Sequence, residues 1–218
     1  MEWKSVRIKV FRGEKLMEER MIVFYGNFNP ITTAHKEMIL ESLKYLEPER
    51  LLIVPSSDLK SYNKDLNSYH RVNMINAVFR NYKRVRIDFT DLNASRKISL
   101  SEVLLEIEKN YINKEMHYLL GTDDLLEFSK EEKLEEVLEK YELIVTQREG
   151  FDLDEIISGS EILTRFKDKI VQVPIIKYTI VSSSKVREMV LDGKFEELEG
   201  SLEPEVIKYI KDKNLYKH

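Results

Sequence analysis

Cysteine is absent from the 218-residue chain. That excludes a disulfide framework, a thiol nucleophile and a thiolate zinc site. A basic excess is also missing: Lys and Arg number 35 against 39 Asp and Glu, for a net charge of −4 and a pI near 5.8. A protein built to grip a nucleic-acid backbone carries the opposite balance, so no nucleic-acid partner is expected. Long apolar runs are missing too. The longest are stretches such as Met21 to Phe24, far below the ~18–20 residues that cross a bilayer, so no membrane partner is expected. The opening, MEWKSVRIKV, lacks the apolar core of a secretion signal. A cytoplasmic protein is the expectation. What is present, 42% apolar and 34% charged residues, suits a globular chain with a sizeable core and argues against disorder.

Apolar patterning predicts a strand over 6–11 and then short continuous apolar runs over 21–25, 51–54, 85–89, 117–120, 143–146 and 170–173. Such runs are typical of strands buried on both faces of a parallel sheet. Helical periodicity predicts helices over 33–46, 69–79, 134–138, 154–166, 184–191 and 205–213. Ser99, with Glu102 three residues later, forms a capping box before another helix through Leu104 and Ile107. The alternation implies an α/β fold, a doubly wound parallel sheet with a helical C-terminal part. We expect residues 1–20 to be an N-terminal extension with an extra strand that could pair across a homo-oligomer. Residues 21–218 are expected to form one domain. Ligands of such sheets bind beyond the carboxyl ends of the strands, so polar segments that follow strands carry the functional question.

The first such segment is GNFNPITTAH, Gly26 to His35. Gly26 permits a tight turn and close approach of a ligand. Pro30 sets the chain direction. Thr32 or Thr33 can cap the following helix, whose exposed N–H groups favour an anion. His35 lies one turn in, where it can contact a polyphosphate. Taken singly, these residues also fit a capped strand–turn–helix joint with a surface histidine. A second segment, VSSSKVR from Val181 to Arg187, opens a late helix with three serines and places Arg187 one turn in. Helix-start amides, a hydroxyl and a guanidinium suit a β,γ-phosphate. An N-capped helix with an exposed arginine is the plainer alternative.

Together the two strings resemble the nucleotidyltransferase superfamily. The first is similar to its G-x-F-x-P-x-[HT]-x-x-H loop, with Thr32 in place of the first histidine, and the second to its ISSTxIR motif. Within it, the chain looks most like the nicotinamide and nicotinate mononucleotide adenylyltransferases, with a Rossmann-like fold. The resemblance runs from about Met21 to Leu191. It implies adenylyl transfer from ATP to a pyridine mononucleotide, with Mg²⁺ carried on the ATP. It assigns His35, assisted by Thr32, to catalysis at the α- and β-phosphates. It assigns Gly26, Phe28, Ser183, Ser184, Lys185, Val186 and Arg187 to ATP. GTDDL, similar to the family's GADxL, adds Gly121 and Asp123 for ribose. Asn27, Lys64 and Arg148 are implied at the acceptor. The family's pyridine-stacking tryptophans have no counterpart, since the single Trp is Trp3. Thr90 and Ser129 stand in their places. Phe89 and Phe128 beside them are candidate stacking rings, and both equally fit core positions. Two alternatives stay open: an adenylyl- or cytidylyltransferase acting on another phosphate acceptor, and a non-catalytic nucleotide-binding paralogue.

Overall fold

In the computed structural model, residues 20–60, 66–147, 150–173 and 182–217 are described. The predicted strand over 6–11, Lys64 and Arg148 lie outside them. Six strands form one parallel sheet: β1 Arg20–Gly26, β2 Arg50–Pro55, β3 Val85–Ile87, β4 Glu115–Gly121, β5 Tyr141–Thr146 and β6 Ile170–Val173. Their spatial order is β3-β2-β1-β4-β5-β6. The chain therefore reverses its direction of travel across the sheet between β1 and β4. Connections leaving these two neighbours diverge to opposite faces, which opens a crevice at their carboxyl ends. The expected doubly wound sheet is borne out.

Alternate residues of each strand feed two separate cores. Ile22, Phe24, Leu51, Ile53 and Leu119 face α1 (Thr33–Leu46), α2 (Ser68–Phe79), α8 (Ser183–Leu191) and α9 (Pro204–Lys213). Met21, Val23, Leu52, Val54 and Leu120 face α3 (Leu100–Asn110), α4 (Thr122–Phe128), α5 (Leu134–Lys140), α6 (Leu153–Ser158) and α7 (Glu161–Arg165). Burial on both faces explains why the strands read as unbroken apolar runs. Among the described residues no helix is long and apolar enough to cross a membrane.

Two predicted elements differ. The helix expected over 154–166 is two helices, α6 and α7. The Gly159 N–H bonds back to Glu155 and closes the first, and the Ser160 hydroxyl accepts from the Leu163 N–H and starts the second. The third strand stops at Ile87. The Thr90 N–H bonds the Asp88 carboxylate at 2.8 Å, a local turn that outcompetes further pairing. Phe89 is therefore not on a buried strand, and it is 45% exposed.

At the amino end of the sheet sits a charged cluster around a fully buried histidine. His117 on β4 is fully buried, 3.8 Å from the Glu115 carboxylate and 3.7 Å from that of Glu142, its register partner on β5. Arg20 on β1 lies 3.5 Å from Glu115 and donates to the Leu46 carbonyl, the last of α1.

Candidate active site

The loop from β1 to α1 is shaped by two backbone features that composition does not announce. Phe28 takes a left-handed conformation, φ +49°, and the Asn29–Pro30 peptide is cis. Gly26 was expected to supply the turn's conformational freedom, yet its φ is not positive. Its missing side chain makes room instead, since a Cβ there would come within 3.1 Å of the Phe28 ring. That ring is buried, packed edge-on against Phe24 at 5.3 Å and against His35 at 5.3 Å.

The histidine is held from its other side by Thr32. The Thr32 N–H donates to His35 Nδ1 at 3.0 Å, the Thr32 hydroxyl lies 2.9 Å from the same nitrogen, and the His35 N–H donates to that hydroxyl at 3.4 Å. This is a capping box with histidine in the third helical position. A backbone N–H can only donate, so Nδ1 accepts. The proton of the neutral ring then sits on Nε2, away from the backbone. Thr32 is buried and spends its hydroxyl on this contact. It orients His35 rather than facing a ligand itself.

A cavity of about 220 Å³ opens at this point. It brings together Gly26, Asn27, His35, Asp123, Ser182 and Ser183. Asp123 reaches it because Gly121 ends β4 and α4 begins immediately, with Gly121 as its N-cap. The serines arrive through α8. The Ser182 hydroxyl caps the Lys185 N–H, and the Ser183 hydroxyl donates to the Pro30 carbonyl at 2.8 Å. Arg187 does not line the cavity. Its guanidinium donates to the Asn29 carbonyl at 2.8 Å and to the Ser184 hydroxyl at 3.0 Å, so both sequence motifs close on one loop. Lys185 points along the helix surface to Glu188 at 3.4 Å. Val186 was expected at ATP, but its side chain is fully buried in the core and its N–H is bonded to the Ser182 carbonyl. It supports α8 and leaves nothing for a ligand.

A second cavity of about 470 Å³ adjoins the first and shares Tyr25, Gly26, Asn27 and Asp124 with it. Its other charged lining is Lys60, Glu127 and Glu131. The Lys60 ammonium is fixed. It donates to the fully buried Asp91 carboxylate at 2.7 Å and to the Tyr25 hydroxyl at 2.8 Å, and lies over the Tyr25 ring. Tyr25 in turn donates to Asp91 at 2.9 Å. Burial, with the Asp91 charge behind it, pushes the Tyr25 phenol far above its ordinary range, which keeps it a donor. Phe128 lines this cavity, but only as floor: its ring is 2% exposed and packed edge-on to Tyr118. Phe89 faces a separate depression with Asn76, Phe79 and Arg86, and Thr90 is not brought to either cavity.

The braces of the site are residues outside the two motifs; Arg71, which from sequence fits either a structural place or an anion contact, takes the structural one. Buried Arg71 donates to the Asn27 carbonyl at 2.7 Å, the Ser56 carbonyl at 2.6 Å and Asp58 at 2.8 Å, tying the loops after β1 and β2 together. Lys60 and Asp91 are far apart in sequence and belong to no periodic pattern. The only available signal was that each follows a strand at the carboxyl edge.

This fold and this crevice are those of a nucleotidyltransferase. A family model described as Cytidylyltransferase-like matches residues 23–189, and the chain belongs to that family. It is 31% identical over 135 residues to a probable nicotinate-nucleotide adenylyltransferase of Staphylococcus epidermidis, covering 61% of this chain and 71% of the relative. It is 23% identical over 204 residues to one from Clostridium tetani, covering 91% of this chain and all of the relative. Among solved structures, Plasmodium falciparum nicotinic acid mononucleotide adenylyltransferase complexed with NaAD superposes with a TM-score of 0.72 at 22% identity, over 91% of this chain and 98% of that one. At that identity the superposition speaks to the fold.

Proposed function

We propose that this protein transfers the adenylyl group of ATP to the phosphate of nicotinate or nicotinamide mononucleotide, giving the dinucleotide and pyrophosphate. The observation that carries the reading is the convergence of His35, Asp123 and the start of α8 on one cavity, with a second cavity beside it for the other substrate. The names of the curated relatives point the same way.

The acceptor phosphate is already an anion near neutral pH and needs no protein base. One of its oxygens attacks the α-phosphorus, the bond from that phosphorus to the bridging oxygen breaks, and the pair leaves with pyrophosphate. The protein's work is alignment and charge stabilisation. His35 Nε2–H donates to the α- and β-phosphates, in the tautomer that Thr32 enforces. The Ser183 and Ser184 amides precede the first hydrogen bond within α8 and, with Arg187, hold the β- and γ-phosphates. Gly121 and Asp123 hold ribose. Asn27 and Lys60 face the acceptor, with Lys64 and Arg148 joining them by resemblance. The carboxylates of Glu127 and Glu131 suit the positive charge of a pyridinium ring.

Magnesium fits this donor set. Asp124 presents a hard carboxylate oxygen beside the polyphosphate cavity and would hold the ion, which takes its other ligands from phosphate and water. When bound, it neutralises charge on the departing pyrophosphate.

Pyrophosphate release from ATP with each mononucleotide tests the reading, and turnover with either supports it. One observation favours a second reading, transfer to another phosphate acceptor: Phe128 is core and Phe89 faces elsewhere, so neither presents a face to a pyridine ring. Turnover with a phosphopantetheine or sugar-alcohol phosphate, and with neither mononucleotide, would select that reading. ATP binding without turnover on any acceptor would select a non-catalytic paralogue.

A further inference from the structure

We infer that Tyr216, near the end of the chain, is a positioning residue for the phosphate site. Its hydroxyl pins Asn29, and through the Asn29 carbonyl the guanidinium of Arg187 is aimed. The inference rests on the proposed use of Arg187 for ATP phosphates.

Asn29 is the hub. It is 3% exposed and lies between the left-handed Phe28 and Pro30. Its side-chain Oδ1 accepts from the Tyr216 hydroxyl at 2.6 Å, and its main-chain carbonyl accepts from Arg187 at 2.8 Å. One residue thus joins the C-terminal tail to the arginine. The tail is built to deliver that hydroxyl. Helix α9 ends at Asn214 in a left-handed cap, and Tyr216 repeats the left-handed conformation at φ +62°. This turn tucks Leu215 and Tyr216 into the core that also holds Phe28 and Ile31. Burial drives the Tyr216 phenol far above its ordinary range despite nearby Arg187 and Arg71, so the group stays protonated and donates. The segment just before α9 grips the next part of the same loop. The Thr33 N–H bonds the Ser201 carbonyl at 3.0 Å, and the Thr33 hydroxyl bonds the Gly200 carbonyl at 2.8 Å. Lys36 pairs with Glu203 at 2.7 Å. The C-terminal segment therefore braces both halves of the loop, and Tyr216 is the contact that leads, through Asn29, to Arg187.

Tyr216→Phe removes one oxygen and keeps the buried ring. We expect kcat/KM for ATP to fall about tenfold while KM for the mononucleotide stays within twofold. In an Arg187→Ala background the same change should cost less than twofold, because the arginine it aims is gone. No loss in the first background, or equal losses in both, overturns the inference. A variant with both Tyr216→Phe and Asn29→Leu removes the stranded buried oxygen and should recover thermal stability. Its ATP efficiency should stay low; recovery of efficiency along with stability marks a purely structural contact and overturns the inference. If the unaltered protein turns over neither mononucleotide, the proposed function has failed. The same variants are then compared by calorimetric ATP affinity, with the same pattern expected. An unaltered protein that does not bind ATP overturns both.

Discussion

His35 and His117 occupy opposite ends of one parallel sheet and are handled in opposite ways. His35 stands at the carboxyl edge, half-buried, with Nδ1 committed to the backbone and the residue lining a cavity. His117 stands at the amino edge, fully buried between two carboxylates. Burial drives it to titrate near 4, below its ordinary 6.5; Arg20 adds to that, and Glu115 opposes it. Strand direction accounts for the contrast. Helices α1, α4 and α8 begin at the carboxyl edge, so unbonded N–H groups and positive helix ends gather there and suit a polyphosphate. Helices finish at the amino edge, so carbonyls gather there and draw cations. Arg20 bonds the last carbonyl of α1, and Lys169 bonds the Leu138 and Glu139 carbonyls of α5 at 2.7 Å each. The first edge is open to a ligand, and the second holds its cations on the chain's own helix carbonyls.

The contrast can be broken most directly at His35. His35→Ala should lower kcat by roughly 10²–10³-fold, the cost of one lost transition-state donor, with the thermal midpoint shifted by only a few degrees. Near-normal turnover, read as pyrophosphate release, would remove His35 from the chemistry. At the other edge the effect should fall on stability alone. Unfolded His117 takes up a proton below pH 6.5, whereas the native residue resists until about pH 4. Between those values the unfolded chain binds more protons, so stability should drop as pH falls, by up to about 3 kcal/mol. Denaturant titrations across this window should show the loss, and His117→Leu should flatten it while leaving turnover at pH 7.5 unchanged. A pH-independent midpoint in the unaltered protein would break the comparison.

Two smaller effects sharpen the picture within the carboxyl edge. Lys60→Met should raise KM for the mononucleotide about tenfold and leave KM for ATP unchanged, since the ammonium faces only the second cavity. An equal rise for both substrates would show that the two cavities are not divided between them. Thr32→Ala should cost about 1 kcal/mol of stability as a lost helix cap. Its turnover should fall only a few-fold, because the backbone N–H of residue 32 still holds Nδ1.

Much of this molecule follows from local rules that a linear reading can apply. The unbroken apolar runs mark strands covered on both faces. The capping box at Ser99 forms as its spacing requires, with the Glu102 N–H bonded to the Ser99 hydroxyl at 3.1 Å and the Glu102 carboxylate accepting the Ser99 N–H at 2.8 Å. His35, Asp123 and Ser183 come together because all three follow strands or open helices at one sheet edge, which strand order makes predictable. Val186 was misread for a local reason: a helix presents only some of its residues outward, and the motif string does not say which.

Chain order and side-chain chemistry were enough to define a parallel sheet, its binding edge and the residue types gathered there. They act over three or four residues, or through strand direction. The braces of the site depended on folding, because each spans a long separation with no periodic trace. Arg71 reaches the Asn27 carbonyl, Asp91 holds Lys60, and Tyr216 meets Asn29 from the far end of the chain. A hydrogen bond between distant segments is set by where the packed layers bring them, and only the assembled core supplies that distance.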